Sequence, residues 1–316
     1  MKVALGMREV SEENLRFAKQ LGVNHIVVHT PELAGDGYWE ELSLWRLKAL
    51  VESAGLELAA IENLPRNHYD KLLLGAPGRD EQIEKVCETI KNMGRVGIPI
   101  LGYNWMLLGV WRTPPGRGRG SAPVTSFDYD QVKDAPLSAM GEVSEEEMWE
   151  SYTYFLERVI PVAEEAGVKM GLHPDDPPVP TLSGTARIFR SVEALKRAIE
   201  VVPSDYNGLE FCQGTIAEMG ADIVETIRYF GERKKIFYVH FRNVKGIIPK
   251  FDESFIDDGD VDMLKAMRAY KEVGFDGPII PDHTPKVVGD TPWGHRGWAF
   301  AVGYIKALIQ VVNSLP

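Results

Sequence analysis

Short apolar, often β-branched runs alternate with amphipathic stretches along the whole chain, the pattern of repeated βα units and of a parallel sheet. The apolar runs predict strands at Lys2–Gly6, Asn24–His29, Leu56–Glu62, Pro99–Tyr103, Val168–His173, Gly208–Cys212, Ile236–Phe241 and Pro278–Asp282. Apolar positions recurring at helical spacing predict helices at Ser11–Leu21, Trp39–Ala54, Asp80–Val96, Ser144–Ala166, Ser191–Glu200, Ala221–Phe230, Asp260–Val273 and Gly297–Val312. Ser144 with Glu147 three residues later reads as a capping box, and Gly97 and Gly167 stand where a helix ends and the next strand begins.

Eight such units predict one closed (β/α)8 TIM barrel. The competing architecture, an open doubly wound sheet, would carry a glycine-rich phosphate loop after its first strand, and Gly6-Met7-Arg8 is not one. No linker or shift in composition divides residues 1–316, so a single domain is expected. Its one long irregular stretch, residues 106–143 after strand four, reads as a lid or binding element on the active face.

Composition narrows the class. With 316 residues, 44% hydrophobic and 26% charged, the chain is that of a globular protein, neither disordered nor fibrous. A net charge of -11 argues against a nucleic-acid partner. The opening MKVALG lacks a signal-peptide pattern and no apolar run approaches the ~20 residues that cross a bilayer, so a cytoplasmic protein without membrane association is expected. Cys87 and Cys212 are the only cysteines, which excludes a disulfide scaffold and fits a reducing compartment. The GRGRG run at 116–120 is either a flexible loop after Pro114 and Pro115 or a basic flap over an anionic ligand.

The candidate chemistry sits at the C-terminal ends of predicted strands five to eight, which carry His173, Cys212, His240 and Asp282. Barrels of this kind place the active site at that end, and the four recur at intervals close to the ~31 residues expected per unit. Two imidazoles, a thiolate and a carboxylate make a site for a divalent transition metal. Each alone has a plainer reading, such as Cys212 as a small buried hydrophobe; their common register is what points to a metal. The stretch GLHPDDPP at 171–178 fits that picture, because prolines remove backbone freedom just beyond a strand-ending ligand. Asp175 and Asp176 either orient ligands, bind substrate hydroxyls or cap the loop.

Several motifs resemble the mannonate dehydratases, a family of xylose-isomerase-like barrels: YNWM through W-R-T at 103–113, IPVAEEAGVKMGLHPDDPP at 160–178, GLEFCQGT at 208–215, VHFRNVK at 239–245 and GFDGPIIPDH at 274–283. The resemblance spans most of the chain and places the family's metal ligands on His173, Cys212, His240 and Asp282. It implies removal of water from D-mannonate to give 2-keto-3-deoxy-D-gluconate, a step of hexuronate breakdown, with Mn2+ or alternatively Fe2+ or another divalent ion as cofactor, and a homodimer. A metal on the C1 carboxylate and C2 hydroxyl would stabilise the charge that forms when C2 loses its proton.

By the same resemblance His283 is the acid/base histidine, or else a partner of Asp282. Arg242 and Asn243 hold the anionic sugar acid, although Arg242 could instead neutralise neighbouring acids. Tyr103, Asn104, Trp105 and Arg112 line the substrate pocket, although aromatic residues at a strand end also serve as packing. One departure stands out: the family's second acid/base group is a tyrosine in the loop after the last strand, yet VVGDTPWGHRGWAFAVG at 287–303 has none. His295 or Arg296 would take its place. Three other functions compete with the dehydratase: an isomerase or epimerase of the wider barrel family, a non-catalytic sugar-acid-binding protein, and a nuclease, the last at odds with the acidic charge.

Overall fold

A computed structural model describes residues 1–314. Eight parallel strands close into a barrel: β1 (Lys2–Met7), β2 (His25–His29), β3 (Glu57–Glu62), β4 (Ile100–Asn104), β5 (Lys169–His173), β6 (Asn207–Cys212), β7 (Ile236–His240) and β8 (Pro278–Ile280). They lie in sequence order around the cylinder, and β1 closes it against β8 with Lys2 beside Pro278 and Val3 beside Ile279. Each expected strand is present, displaced by a residue or two at its ends. β8 stops at Ile280, so Asp282 stands two residues past the strand rather than on it.

The helices follow the expected periodicity, and the expected capping box at Ser144 is present among several side-chain caps. Ser11, Ser144, Ser191, Asp222 and Asp262 each sit at an N-cap and accept a backbone N–H from the first helical turn. Ser144 and Glu147 form the full capping box, with the Glu147 carboxylate accepting the Ser144 amide at 2.8 Å. Gly167 closes the helix Glu145–Ala166 with φ of 70°, a left-handed conformation that costs a side-chain-bearing residue about 1 kcal/mol. Two short helices went unpredicted, Asp70–Leu73 and Gln213–Glu218.

Residues 106–143 are not the irregular insertion expected. Thr113–Arg117 and Pro123–Asp128 form two strands of a four-stranded antiparallel sheet, completed by the hairpin Val244–Ile247 and Lys250–Glu253 that follows β7. Lys250 pairs with Asp128 and Phe251 with Phe127, so segments more than a hundred residues apart share one sheet. Phe127 and Phe251 pack with Val179 and Leu182 into a small core of their own. Within the GRGRG run, Arg119 makes a two-pronged ion pair with Asp257 (2.9 and 3.0 Å), so this guanidinium is anchored to the chain itself.

The barrel interior is graded. A lower plug of Ala4, Val27, Ala60, Ile100, Phe237, Tyr238 and Ile280 fills its centre. Above it the inward positions of β4 and β5 are Gly102 and Gly171, opposite Glu210 and Tyr238. A Cβ on Gly102 would overlap the Tyr238 hydroxyl and approach Glu210 Oε2, so the glycine is what admits these two polar side chains. Gly102→Ala is therefore expected to destabilise the fold by about 1–3 kcal/mol through overpacking. Gly303→Ala, in a helix with nothing near the new methyl, is expected to stabilise by up to about 1 kcal/mol. Urea unfolding of both variants checks the opposite signs.

Candidate metal centre and active site

The register of the barrel brings the ends of β5, β6 and β7 to one level. Cys212 is paired with His240, and His173 lies one residue beyond the Leu172–Leu209 pair. Ligand atoms of His173, Cys212 and His240 lie within 4.8 Å of one another, and all three residues are buried. Asp282 joins from beyond β8, its Oδ2 3.4 Å from His240 Nδ1. The fold thus brings His173, Cys212 and His240 together, with Asp282 beside His240.

The hydrogen bonds around the two rings decide which nitrogens are free. His173 Nδ1 lies 2.6 Å from the Pro174 carbonyl, which can only accept, so Nδ1 keeps a proton and Nε2 is the nitrogen left to meet an ion. His240 Nε2 lies 3.0 Å from Glu62 Oε2 and 2.9 Å from Glu210 Oε1. With one proton held there, His240 Nδ1 is a buried ring nitrogen without a hydrogen-bond partner, and it offers a lone pair to an ion once its own proton is displaced. A buried orphan of this kind beside a sulfur and a second imidazole fits a divalent cation. Two other groupings have the spacing of a metal site, Glu62–Glu210–His240 and Asp176–Glu253–His283. The first already encloses the His240 N–H, and guanidinium groups occupy the second.

Charge at the centre follows from these neighbours. Burial pushes the Cys212 thiol up, but the Arg242 guanidinium and the His173 ring outweigh it and hold the sulfur well below the usual thiol range. Burial pulls His173 down, yet the Cys212 sulfur and Glu210 carboxylate push it up to about 10. His240 is likewise raised, by Glu62, Asp282 and Glu210 against burial. Thr215 adds a hydroxyl that donates to Cys212 Sγ at 3.1 Å. A cation entering here replaces ring protons as the partner of the sulfur and carboxylate.

Beside the centre lies a buried knot of charge. Arg112 grips Asp176 with two nitrogens (2.5 and 2.8 Å) and Glu253 with two more contacts (2.5 and 3.1 Å). Arg242 reaches Asp176 (3.2 Å), Glu253 (3.0 Å), Glu218 (3.0 Å) and the Thr215 hydroxyl (2.8 Å). Gly214 makes room for it, since a Cβ there would overlap Arg242 Nε. Burial and Asp176 push the Glu218 carboxyl well up, so two guanidinium groups face two ionised carboxylates. Arg242 neutralises its neighbours, the second of its two readings, and Arg112 does the same.

A cavity of about 420 Å³ opens above the centre, in the size range of small-molecule sites. His173, His240, Asp282, Asp176, Asn104 and His283 line it. Asn104 is fixed by donating to Asn63 Oδ1 at 2.6 Å. His283 takes a left-handed φ of 49° and sets Nδ1 2.9 Å from Glu253 Oε1, with Nε2 3.7 Å from Asp282 Oδ1.

Several expected pocket residues are elsewhere. Tyr103 is buried with its hydroxyl 3.2 Å from that of Tyr152, and Trp105 packs on Phe155. Asn243 spends its amide on Ile256, Val261 and Val244 backbone groups, clamping the loop after the hairpin. Asp175 accepts the Phe189 amide at 2.7 Å and faces Arg187, the loop-holding reading. His295 is outside the cavity: Nδ1 meets Thr291 Oγ1 at 2.5 Å and the ring packs between Phe17 and Trp293. Arg296 donates to the Val288 carbonyl.

Residues missed in the sequence complete the lining. His29 and Glu62 end β2 and β3, and the strand-end rule that selected His173 and Cys212 would have found both. Arg8 and Lys286 also border the cavity and make no ion pair among the described residues.

Fold and site together define a (β/α)8 barrel with a cluster of side chains suited to a divalent cation. A xylose isomerase domain protein from Planctomyces limnophilus shares the fold, with a TM-score of 0.66 at 15% identity over 99% of each chain. A family model described as D-mannonate dehydratase (UxuA) matches residues 6–139 and 120–315. Mannonate dehydratase 2 of Halalkalibacterium halodurans is 33% identical, covering 95% of this chain and 96% of its own. The mannonate dehydratase of Streptococcus agalactiae serotype Ia is also 33% identical, with 87% of each chain covered. The crystal structure of mannonate dehydratase from Streptococcus suis serotype 2 superposes with a TM-score of 0.91 at 29% identity, covering 99% of this chain and 95% of the other. The chain belongs to the mannonate dehydratase family.

Because His173 and His240 are held protonated above their usual range, a cation must displace their protons. Apparent affinity for Mn2+ is expected to rise with pH between 6 and 8, by about tenfold per unit for each proton displaced. Calorimetry in buffers of different ionisation enthalpy checks the proton release. Arg242→Ala is expected to cost about 3–5 kcal/mol of stability, read from denaturant midpoints, by leaving buried carboxylates unpaired.

Proposed function

We propose that this chain is a metal-dependent hydro-lyase that removes water from D-mannonate to give 2-keto-3-deoxy-D-gluconate. The observation that supports the reading is the cluster of His173, Cys212 and His240, with Asp282 beside His240, next to the cavity of a chain similar to mannonate dehydratases along nearly all its length. These four side chains would hold the cation, with Mn2+ as the ion the resemblance implies. When bound, the ion supplies a positive charge beside the substrate's C1 carboxylate and C2 oxygen.

The protein's own groups do the rest. Arg8 and Lys286 draw the anionic sugar acid to the mouth. Asn104, locked by Asn63, offers a hydrogen bond to a hydroxyl, and Trp293 and Trp298 wall the cavity from the C-terminal side. His283 exchanges a proton with the substrate, its ring oriented by Glu253. The antiparallel sheet that contains part of residues 106–143 supplies Glu253 and so serves the active face. The protein acts in the cytoplasm as a homodimer, both readings resting on composition and family resemblance.

Protein loaded with Mn2+ is expected to convert D-mannonate to a 2-keto-3-deoxy acid, detected by the periodate–thiobarbiturate chromophore. Cys212→Ser is expected to lower bound metal and reduce turnover by about 10- to 100-fold or more. A ketose formed without loss of water would instead make the chain an isomerase. Tight mannonate binding in calorimetry with no product would make it a binding protein.

A further inference from the structure

We propose that His29 is the second proton-transfer group of the dehydration, the donor that lets the C3 hydroxyl depart as water. The assignment rests on the dehydratase reading above and fills its one missing part.

The reaction needs two such groups. One takes the proton from C2, and the electrons of that C–H bond form the C2–C3 double bond as the C3–O bond breaks with its pair. The departing hydroxyl accepts a proton and leaves as water. The enol left behind gives up its C2 hydroxyl proton and gains one at C3, yielding the 2-keto acid. His283, next to Asp282, stands by the C1–C2 end of a substrate held at the centre and takes the C2 proton. The loop after β8 has no tyrosine to supply the other, and His295 lies outside the cavity.

His29 has the required geometry. It ends β2, lines the cavity and keeps 19% of its side chain exposed there, enough for a substrate to touch. Its Nδ1 lies 2.9 Å from Glu62 Oε1, and a carboxylate only accepts, so that nitrogen keeps its proton. The proton given to the departing hydroxyl is a second one on Nε2, carried by the imidazolium form that the Glu62 carboxylate pairs with, and its transfer leaves the neutral Nδ1–H ring. Nε2 makes no hydrogen bond among the described residues and sits over Gly6, another cavity residue; a Cβ at that position would overlap it. Gly6 thus keeps open the face that His29 presents.

Glu62 holds more than His29. Its second oxygen lies 3.0 Å from His240 Nε2, so one carboxylate ties the proton donor to a candidate metal ligand and fixes their spacing. His29, at the end of β2, and His283, just after β8, therefore line one cavity, each paired with a carboxylate.

The test compares wild type, His29→Gln and His283→Gln, all loaded with Mn2+, on D-mannonate and on 3-deoxy-3-fluoro-D-mannonate. Fluoride leaves without needing a proton. His29→Gln is expected to lose ~10²- to 10⁴-fold on mannonate, to release fluoride within about tenfold of wild type, and to keep its metal content. His283→Gln is expected to lose on both substrates. Added imidazole is expected to restore part of the mannonate activity of His29→Ala, a second variant that guards against a folding defect in the first. The assignment is overturned if His29→Gln stays within about threefold of wild type on mannonate, loses equally on both substrates, or loses its metal. A wild-type protein that turns over neither substrate overturns the dehydratase reading, and the role of His29 with it.

Discussion

The centre depends on how His240 is held. Its Nε2 lies between two carboxylates, Glu62 and Glu210, inside a barrel where water is scarce and an unpaired charge is costly. That pinning turns the opposite nitrogen, Nδ1, toward Cys212, His173 and Asp282 without a hydrogen-bond partner, so that an ion can take the place of its proton. The pinning has its own structural cause. Glycines on β4 and β5 vacate the space that Glu210 and Tyr238 fill, so the small residues of two strands position the ring of a third.

A second layer of charge shapes the mouth. Arg112 comes from the loop after β4, Asp176 from the loop after β5, Arg242 from the end of β7 and Glu253 from the hairpin beyond it. Their ion pairs join the connections after β4, β5 and β7 into one rim, and Glu253 then pairs with His283. Buried pairs of this kind add little net stability over apolar packing, but losing one member strands the others. Their use here is positional, since through Glu253 they set the direction of the His283 ring at the cavity.

How much of this could be read from the sequence depends on the range of the cause. Strand and helix periodicity is local, and so the eight strands, the capping box at Ser144 and the cluster of His173, Cys212 and His240 at the ends of β5 to β7 were legible, with Asp282 two residues beyond β8. The sheet over the mouth was not, because its Pro- and Gly-rich strand Thr113–Arg117 resembles a loop until Lys250–Glu253 arrives to complete the sheet. The roles of Arg112, Arg242 and Asp176 were ambiguous for the same reason: residue type does not say whether a charge will meet a substrate or a neighbour. His29 and Glu62 were legible and overlooked, since the strand-end rule was applied to half the barrel. His295 was chosen by its place in the chain, whereas its ring is taken up by Phe17 and Trp293.

The side of His240 on which the cation sits tests the account most directly. X-ray absorption at the manganese edge of the loaded protein should show one sulfur at about 2.3 to 2.4 Å together with imidazole scattering, as a centre of His173, Cys212, His240 and Asp282 requires. A shell of oxygen and nitrogen with no sulfur, unchanged in Cys212→Ser, would place the ion between Glu62 and Glu210 instead and contradict it.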